Sequence, residues 1–173
     1  MKKYIFISFL FLMLLISACS TSQETQPARV NIDSGIRPGE IKTFAENPNA
    51  EVCTQDNKQV IRLFSTSWCP HCKWIKGRFD TVMHEYISSG KIVAYHWELD
   101  LEDDILTEAK EGAVPAAELE LFKQFNPQQS IPTFVMGCKY YRIGNGYESQ
   151  NNLDAEETEL RSVIEKLIQE AGQ

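Results

Sequence analysis

The chain has 173 residues, a length that fits one domain better than two, and its formal net charge is −7. With 17 basic against 24 acidic residues it offers no basic stripe to neutralise phosphates, which argues against nucleic acid as a partner. An acidic surface also fits anionic lipid poorly, so attachment to a membrane would have to come from covalent acyl chains.

The first 18 residues have the pattern of a secretory signal peptide. Lys2 and Lys3 form a basic start, and residues 5–18 are apolar or small throughout, which is shorter than the roughly 20 apolar residues of a membrane span. The run ends in Ser17-Ala18-Cys19, which resembles the lipobox of bacterial lipoproteins, where the cysteine after the cleavage site carries a diacylglycerol. We expect an exported chain, lipid-anchored through Cys19 at the outer face of the cell membrane or in the periplasm. The alternatives are an ordinary signal peptide and an uncleaved anchor.

The remainder divides into a linker and one domain. Residues 19–36 are polar at first and lack apolar periodicity, which predicts a flexible tether, and residues 37–173 are assigned to the folded domain. Hydrophobic periodicity and turn residues predict its elements. In chain order they are a strand at 59–66, a helix from Pro70 to the stop at Gly90, a strand at 91–99, a helix at 116–125, strands at 131–136 and 139–143, and a last helix capped by Asp154.

Cys69 and Cys72 lie three residues apart at the predicted start of the first helix. This spacing puts both on one helix face, at a separation that a disulfide tolerates. The unpaired N–H groups and the dipole of the helix N-terminus stabilise a thiolate at Cys69, whereas Cys72 lies one turn further in. The pattern therefore predicts an attacking and a resolving cysteine. His71 between them, when protonated, would stabilise the thiolate and make the pair more oxidising.

Two motifs in this order of elements resemble the thioredoxin superfamily over roughly residues 60–169. They are Trp68-Cys69-Pro70-His71-Cys72 and, downstream, Ile131-Pro132-Thr133. The resemblance implies an α/β, thioredoxin-like fold with a central mixed sheet flanked by helices, and the activity of a protein-disulfide oxidoreductase. It also implies a cis Pro132 that faces the cysteines and an Ile131 backbone that is presented to an extended substrate. Trp68, directly before the first thiol, is expected to shape the substrate surface.

The sequence departs from the family pattern in ways that bear on the direction of electron flow. The Pro70-His71 centre resembles DsbA-type oxidants, whereas Ile131 before the proline resembles the reducing thioredoxins. Thioredoxins carry a buried acid six residues before the first cysteine, where this chain has Leu63. Deprotonation of the resolving cysteine then needs another base, for which Glu98 and Asp100 are the candidates.

Of the five cysteines, lipidation of Cys19 leaves four. In an oxidising compartment four thiols suggest two pairs, and four cysteines allow three connectivities. In the fold that the resemblance implies, the beginning of the strand before the active site lies near the end of the strand after Pro132. We therefore expect a structural disulfide between Cys53 and Cys138. The alternatives are two separate buried thiols and a relay in which this pair exchanges with Cys69–Cys72, which the length of the intervening strand argues against.

The interpretation of the whole sequence is an exported thiol–disulfide oxidoreductase without a cofactor. Its partners would be exported proteins with cysteines and a membrane redox partner. Two other functions stay open, namely a copper-handling protein that uses the thiols as ligands and a non-catalytic thioredoxin-fold binding module. A zinc site is not predicted, since His84 and His96 lack a ligand-like spacing and are interpreted as a surface residue and a packing or rim residue.

Overall fold

The structure is a computed structural model, and it describes residues 35–48 and 50–172. These residues belong to one compact unit. The predicted signal peptide, the lipidation site at Cys19 and nearly all of the predicted linker lie outside the described residues. The described strands are β1 Ala45–Glu46, β2 Thr54–Gln55, β3 Lys58–Ser65, β4 Ile92–Glu98, β5 Asp103–Asp104, β6 Thr133–Met136 and β7 Tyr140–Ile143. The described α-helices are α1 Pro70–Ser88, α2 Ala116–Phe125 and α3 Leu153–Ala171, and a 3₁₀ turn spans Glu148–Gln150.

Across the described residues the strands form one mixed sheet in the order β1-β7-β6-β3-β4-β5, with β2 paired to β3. The central strand β3 is parallel to β4 and antiparallel to β6. Its run of β-branched and aromatic residues is almost entirely buried, as expected of a strand that is covered on both faces. The predicted fold class, a central mixed sheet flanked by helices, is confirmed.

Helices cover both faces of the sheet because β3 alternates its side chains between two cores. Ile61 and Leu63 pack with the apolar faces of α1 and α3, while Phe64 packs with Phe122 of α2 on the other side. Helix α1 therefore lies on the same side of the sheet as α3, and its first turn begins shortly after β3 ends. The carboxyl end of β3 thus determines the position of the two thiols.

Most of the long predicted elements occur with ends shifted by one or two residues. The strand predicted from residue 131 begins only at Thr133, because Pro132 lacks the N–H group that a ladder needs. The short strands β1, β2 and β5 were not predicted, since two residues carry no periodicity.

The predicted N-cap of the last helix was wrong. The cap of α3 is Asn152, whose side chain accepts a hydrogen bond of 3.0 Å from the Ala155 N–H. Asp154 lies inside the first helical turn. Three residues after Asp154, Glu157 completes the sequence pattern of a capping box, but its side chain pairs with Arg78 and Arg161 and does not cap the helix. An asparagine caps a helix as well as an aspartate does, so both positions satisfied the same sequence rule.

Candidate active site

Two free thiols, Cys69 and Cys72, lie at the N-terminus of α1. Cys69 is the N-cap residue in an extended conformation, and its Sγ accepts a hydrogen bond of 3.3 Å from the Cys72 N–H. Pro70 occupies the first helical turn, where its missing N–H group removes no intrahelical bond. The Cys69 sulfur is therefore in the position that the sequence predicts, among the unpaired N–H groups of a helix N-terminus.

Both thiols are buried: 4 % of the Cys69 surface and 2 % of the Cys72 surface are exposed. Burial and, to a smaller extent, the hydrogen bond with the Cys69 side chain together raise the pKa of the Cys72 thiol to about 12. At neutral pH this sulfur is a thiol and not a thiolate. It can attack a disulfide only after a base has taken its proton.

The segment Ile131–Pro132 approaches the thiols from the end of the α2–β6 loop. The peptide bond between these residues is cis, and the Ile131 carbonyl oxygen lies 4.0 Å from the Cys69 Sγ. Thr133 follows at the start of β6 and is fully buried. The Ile131 main chain thus borders the sulfur that a substrate has to reach.

His71 is held by a residue that the sequence analysis did not find. Its Nδ1 lies 2.9 Å from both carboxylate oxygens of Glu148 in the 3₁₀ turn. The Asn145 side-chain amide donates to the His71 carbonyl oxygen and to Glu148. No sequence pattern could have indicated this contact, because His71 and Glu148 are 77 positions apart.

Trp68, directly before Cys69, exposes 66 % of its surface. It is one of four large apolar side chains that the described residues expose, and it does not belong to either core. The loop that carries it is fixed through Ser67, whose backbone N–H and hydroxyl both donate to Asp100. An indole presented next to the first thiol forms an apolar contact surface for an incoming polypeptide.

A cavity of about 270 Å³ lies beside Cys72. Its wall is formed by the end of β3, the first turns of α1 and the end of β4; the lining residues are Ser65, Thr66, Ser67, Cys72, Lys73, Lys76 and Glu98. We call this cavity the thiol chamber.

The two candidate bases occupy different positions relative to the thiol chamber. Glu98 lines it and pairs with Lys76 at 2.8 Å. Asp100 is engaged with Ser67 instead. Leu63, at the position where thioredoxins carry an acid, is completely buried in the apolar core. Among the two candidates, only Glu98 shares the chamber with Cys72.

Cys53 and Cys138 are joined by a disulfide that closes 85 positions of sequence, with their Cα atoms 5.2 Å apart. Cys53 follows β1 and Cys138 ends the turn after β6, so the bridge lies at the end of β3 that is remote from Cys69. The eight residues of β3 separate the two cysteine pairs, which at about 3.3 Å per residue is far beyond direct thiol exchange.

Within residues 35–48 and 50–172, no group of three or more His, Cys, Asp or Glu side chains has a geometry suited to a metal ion. None of the helices in the same described residues is long and apolar enough to cross a membrane.

Comparison with known proteins gives one match. A family model described as a thioredoxin-like domain matches residues 47–159, which is more than half of the chain. No curated protein and no solved structure matches the chain. The matched residues contain the two thiols, the thiol chamber and the Ile131–Pro132 segment.

Proposed function

The chain belongs to the thioredoxin-like family, and from that premise we propose that it is a thiol–disulfide oxidoreductase acting on exported proteins that contain cysteines. One observation carries the proposal. Two free thiols lie one helical turn apart: Cys69 is the N-cap of α1, and Cys72 lies in the first turn with its pKa raised to about 12. That asymmetry is what disulfide exchange through a mixed disulfide requires.

Cys69 is the attacking residue in this proposal. Its sulfur lies at the helix N-terminus, where N–H groups and the helix dipole stabilise a thiolate. The neighbouring imidazole of His71, when protonated, adds a positive charge. An extended substrate segment would lie along the Ile131 main chain, with Trp68 as an apolar contact beside the scissile disulfide.

Cys72 resolves the mixed disulfide. Its high pKa keeps it protonated while Cys69 is attacking, so it does not compete as a nucleophile. Release of the product begins once the Cys72 proton has been removed inside the thiol chamber. The same sequence in reverse inserts a disulfide into a substrate dithiol.

The exported location belongs to the proposal as well. The basic start, the apolar run and the Ser17-Ala18-Cys19 site support a signal peptide followed by a lipid anchor. Tethering would keep the thiols near the membrane plane, where a membrane redox partner can restore their redox state.

The test is the reduction potential of the Cys69–Cys72 pair in the full chain, equilibrated with glutathione buffers and read by alkylation of free thiols. A reduction potential near that of DsbA, about −120 mV, would identify the protein as an oxidant. A reduction potential near that of thioredoxin, about −270 mV, would identify it as a reductant. A Cys72→Ser variant should accumulate the mixed disulfide at Cys69, and a Cys69→Ser variant should not. If the wild-type pair neither exchanges with glutathione nor forms a mixed disulfide, the proposal is wrong.

A further inference from the structure

The face of α1 that points at the sheet carries polar groups below Cys72. Cys72, Lys76 and Asp80 follow one another at intervals of four residues, which places them in one row along the helix. Opposite this row, His96 and Glu98 lie two positions apart on β4 and hence on one face of the strand. His96 and Glu98 are buried, and a buried polar group is costly unless it has a partner.

His96 is at the centre of this row and is completely buried. Its Nδ1 lies 2.5 Å from Asp80 Oδ1, and its Nε2 lies 2.8 Å from Ser65 Oγ. With a neutral ring, Nδ1–H donates to the Asp80 carboxylate and Nε2 accepts from the Ser65 hydroxyl. In this tautomer the Ser65 hydroxyl donates to His96, so the Ser65 oxygen can still accept a hydrogen bond from a further donor.

The two ends of this chain of hydrogen bonds have different surroundings. Ser65 is 1 % exposed and lines the thiol chamber together with Cys72. Asp80, at the other end, has 20 % of its side chain exposed. The chain therefore connects the enclosed space beside Cys72 to a carboxylate that solvent can reach.

We propose that Ser65, His96 and Asp80 form a proton relay that takes the proton of Cys72 during resolution of the mixed disulfide. This inference rests on the proposed function, because it assigns roles within the same exchange reaction. His96 and Asp80 are positioning residues in this scheme, because they act on the thiol through Ser65, whereas Ser65 itself receives the proton across the chamber.

Proton transfer comes first in the resolving step. The Cys72 S–H proton passes to the Ser65 oxygen, directly or through one water in the chamber, while the Ser65 proton passes to His96 Nε2. The Cys72 thiolate then attacks the Cys69 sulfur, so that the Cys69–Cys72 bond forms and the Cys69–substrate bond breaks. The electron pair of the broken bond leaves with the substrate sulfur, which takes a proton from solvent. The protein dithiol is oxidised and the substrate disulfide is reduced, with no further reactant.

Charged groups lie around His96 on several elements. They are Asp80 and Lys76 from α1, Glu98 on β4, Asp104 on β5, which accepts from the His96 backbone N–H, and Glu111, which accepts from the Asp104 N–H. Of these, Asp80 contacts the imidazole ring itself, whereas Asp104 contacts the His96 backbone. Since imidazole titrates nearer to neutral pH than a carboxylate does, it is the better acceptor from a thiol.

Glu98 is the competing acceptor, because it lines the same chamber. Its Oε1 is already engaged by Lys76. Ser65 and Glu98 are also register partners on adjacent strands, so either could receive a proton from the same space. The experiment therefore has to separate the two.

The measurement follows the resolving step by itself. The reduced full chain is treated with a chromogenic aromatic disulfide that caps Cys69, and release of the coloured thiol by Cys72 is recorded in stopped flow from pH 5 to 9. Wild-type release should slow toward acidic pH with an inflection near neutral pH, the range in which imidazoles titrate, because an imidazolium cannot accept the proton that Ser65 passes on. The Ser65→Ala variant should release the thiol at least about tenfold more slowly at pH 7 and should lose this neutral inflection. Asp80→Asn should weaken the inflection in the same direction.

Two variants serve as comparisons. Thr66→Val removes a hydroxyl from the same chamber wall without touching His96, and it should keep the wild-type pH profile. Glu98→Gln should keep the neutral inflection. If Ser65→Ala retains the wild-type profile, or if Glu98→Gln abolishes it, the relay is wrong while the oxidoreductase proposal stands. If the wild-type chain does not release the thiol at all, both proposals fail.

Discussion

At the scale of single residues, the imidazole of His71 has the most direct bearing on the potential of the thiol pair. It follows Cys69 by two positions, and Glu148 fixes it through Nδ1 at 2.9 Å. Its side chain is 63 % exposed, so solvent screens its charge in part. A protonated ring stabilises the thiolate and hence the reduced form of the pair, which raises the reduction potential.

Replacing His71 by alanine should make the pair less oxidising. We expect the reduction potential to fall by about 30 mV, which corresponds to a tenfold change in the exchange equilibrium. His84→Ala is the matched control, because it removes an exposed imidazole from the same helix away from the thiols. Equilibration with glutathione buffers measures both variants. Equal shifts in the two would refute a specific role for His71.

Trp68 provides a second prediction at this scale. Because its indole is exposed beside Cys69 and contributes to neither core, Trp68→Ala should leave the free energy of unfolding nearly unchanged. The rate of exchange with a polypeptide disulfide should drop, since an exposed aromatic supplies contact area, while exchange with a small disulfide should be unaffected. Rates measured with both substrates on one preparation decide this. If the exchange rate fell equally with both disulfides, Trp68 would affect the thiol–disulfide exchange step, and a role in substrate contact would be contradicted.

At the scale of elements, α3 and β7 are joined by a buried ionic cluster. Arg142 on β7 pairs with Glu156 and Glu159 on α3, and all three are almost fully buried. Glu156 also accepts from the Gly146 and Tyr147 N–H groups, and so holds the loop that leads to Glu148. The packing of α3 on the sheet thereby supports the residue that binds His71.

Replacing Arg142 by leucine should cost about 3–5 kcal/mol of unfolding free energy at pH 7, because it leaves two buried carboxylates without a cation. Burial raises the pKa of Glu156, so the folded variant takes up a proton at higher pH than the unfolded chain does. Its stability therefore rises as pH falls, and the loss should be smaller at pH 5 than at pH 7.

Denaturant titrations at the two pH values measure this prediction. Arg78→Leu is the control, since Arg78 also links α3 to another element but through an exposed ion pair with Asp154 and a half-buried one with Glu157. Pairs of that kind contribute about 1 kcal/mol or less. A loss for Arg142→Leu that is no larger than that of the control, or that does not shrink at pH 5, would contradict the account.

At the scale of the whole molecule, the two cysteine pairs lie at opposite ends of the central strand β3. The two free thiols follow the carboxyl end of β3, whereas the Cys53–Cys138 bridge closes the opposite end. The backbone around the bridge is further held by hydrogen bonds from the Cys53 N–H to the Gly137 carbonyl and from the Val60 N–H to the Cys53 carbonyl. The bridge therefore lies apart from the two free thiols, with the length of β3 between them.

The double variant Cys53→Ala, Cys138→Ala should lose about 2–4 kcal/mol of unfolding free energy, because the unfolded chain is no longer closed into a long loop. The reduction potential of the Cys69–Cys72 pair should stay unchanged. Thermal or denaturant unfolding gives the first quantity and glutathione equilibration the second. A shifted potential would mean that the two pairs communicate, against the separation along β3.

The sequence by itself determined the elements and the chemistry that is local to them. The long strands and helices follow from hydrophobic periodicity, and the Cys69/Cys72 asymmetry follows from the position of a helix start, since both are set by neighbours within a few residues. The resemblance carried by Trp68 to Cys72 and by Ile131 to Thr133 supplied the topology that local patterns leave open.

Only the tertiary structure decided which distant polar groups meet. Nothing within ten residues of His96 distinguishes a packing histidine from one that bridges Ser65 and Asp80, because the contact depends on how α1 lies across β3 and β4. Glu148 reaches His71, and Arg142 reaches two glutamates of α3, for the same reason. Periodicity records which face of an element is apolar, whereas the pairing of buried polar side chains depends on the register and packing of whole elements.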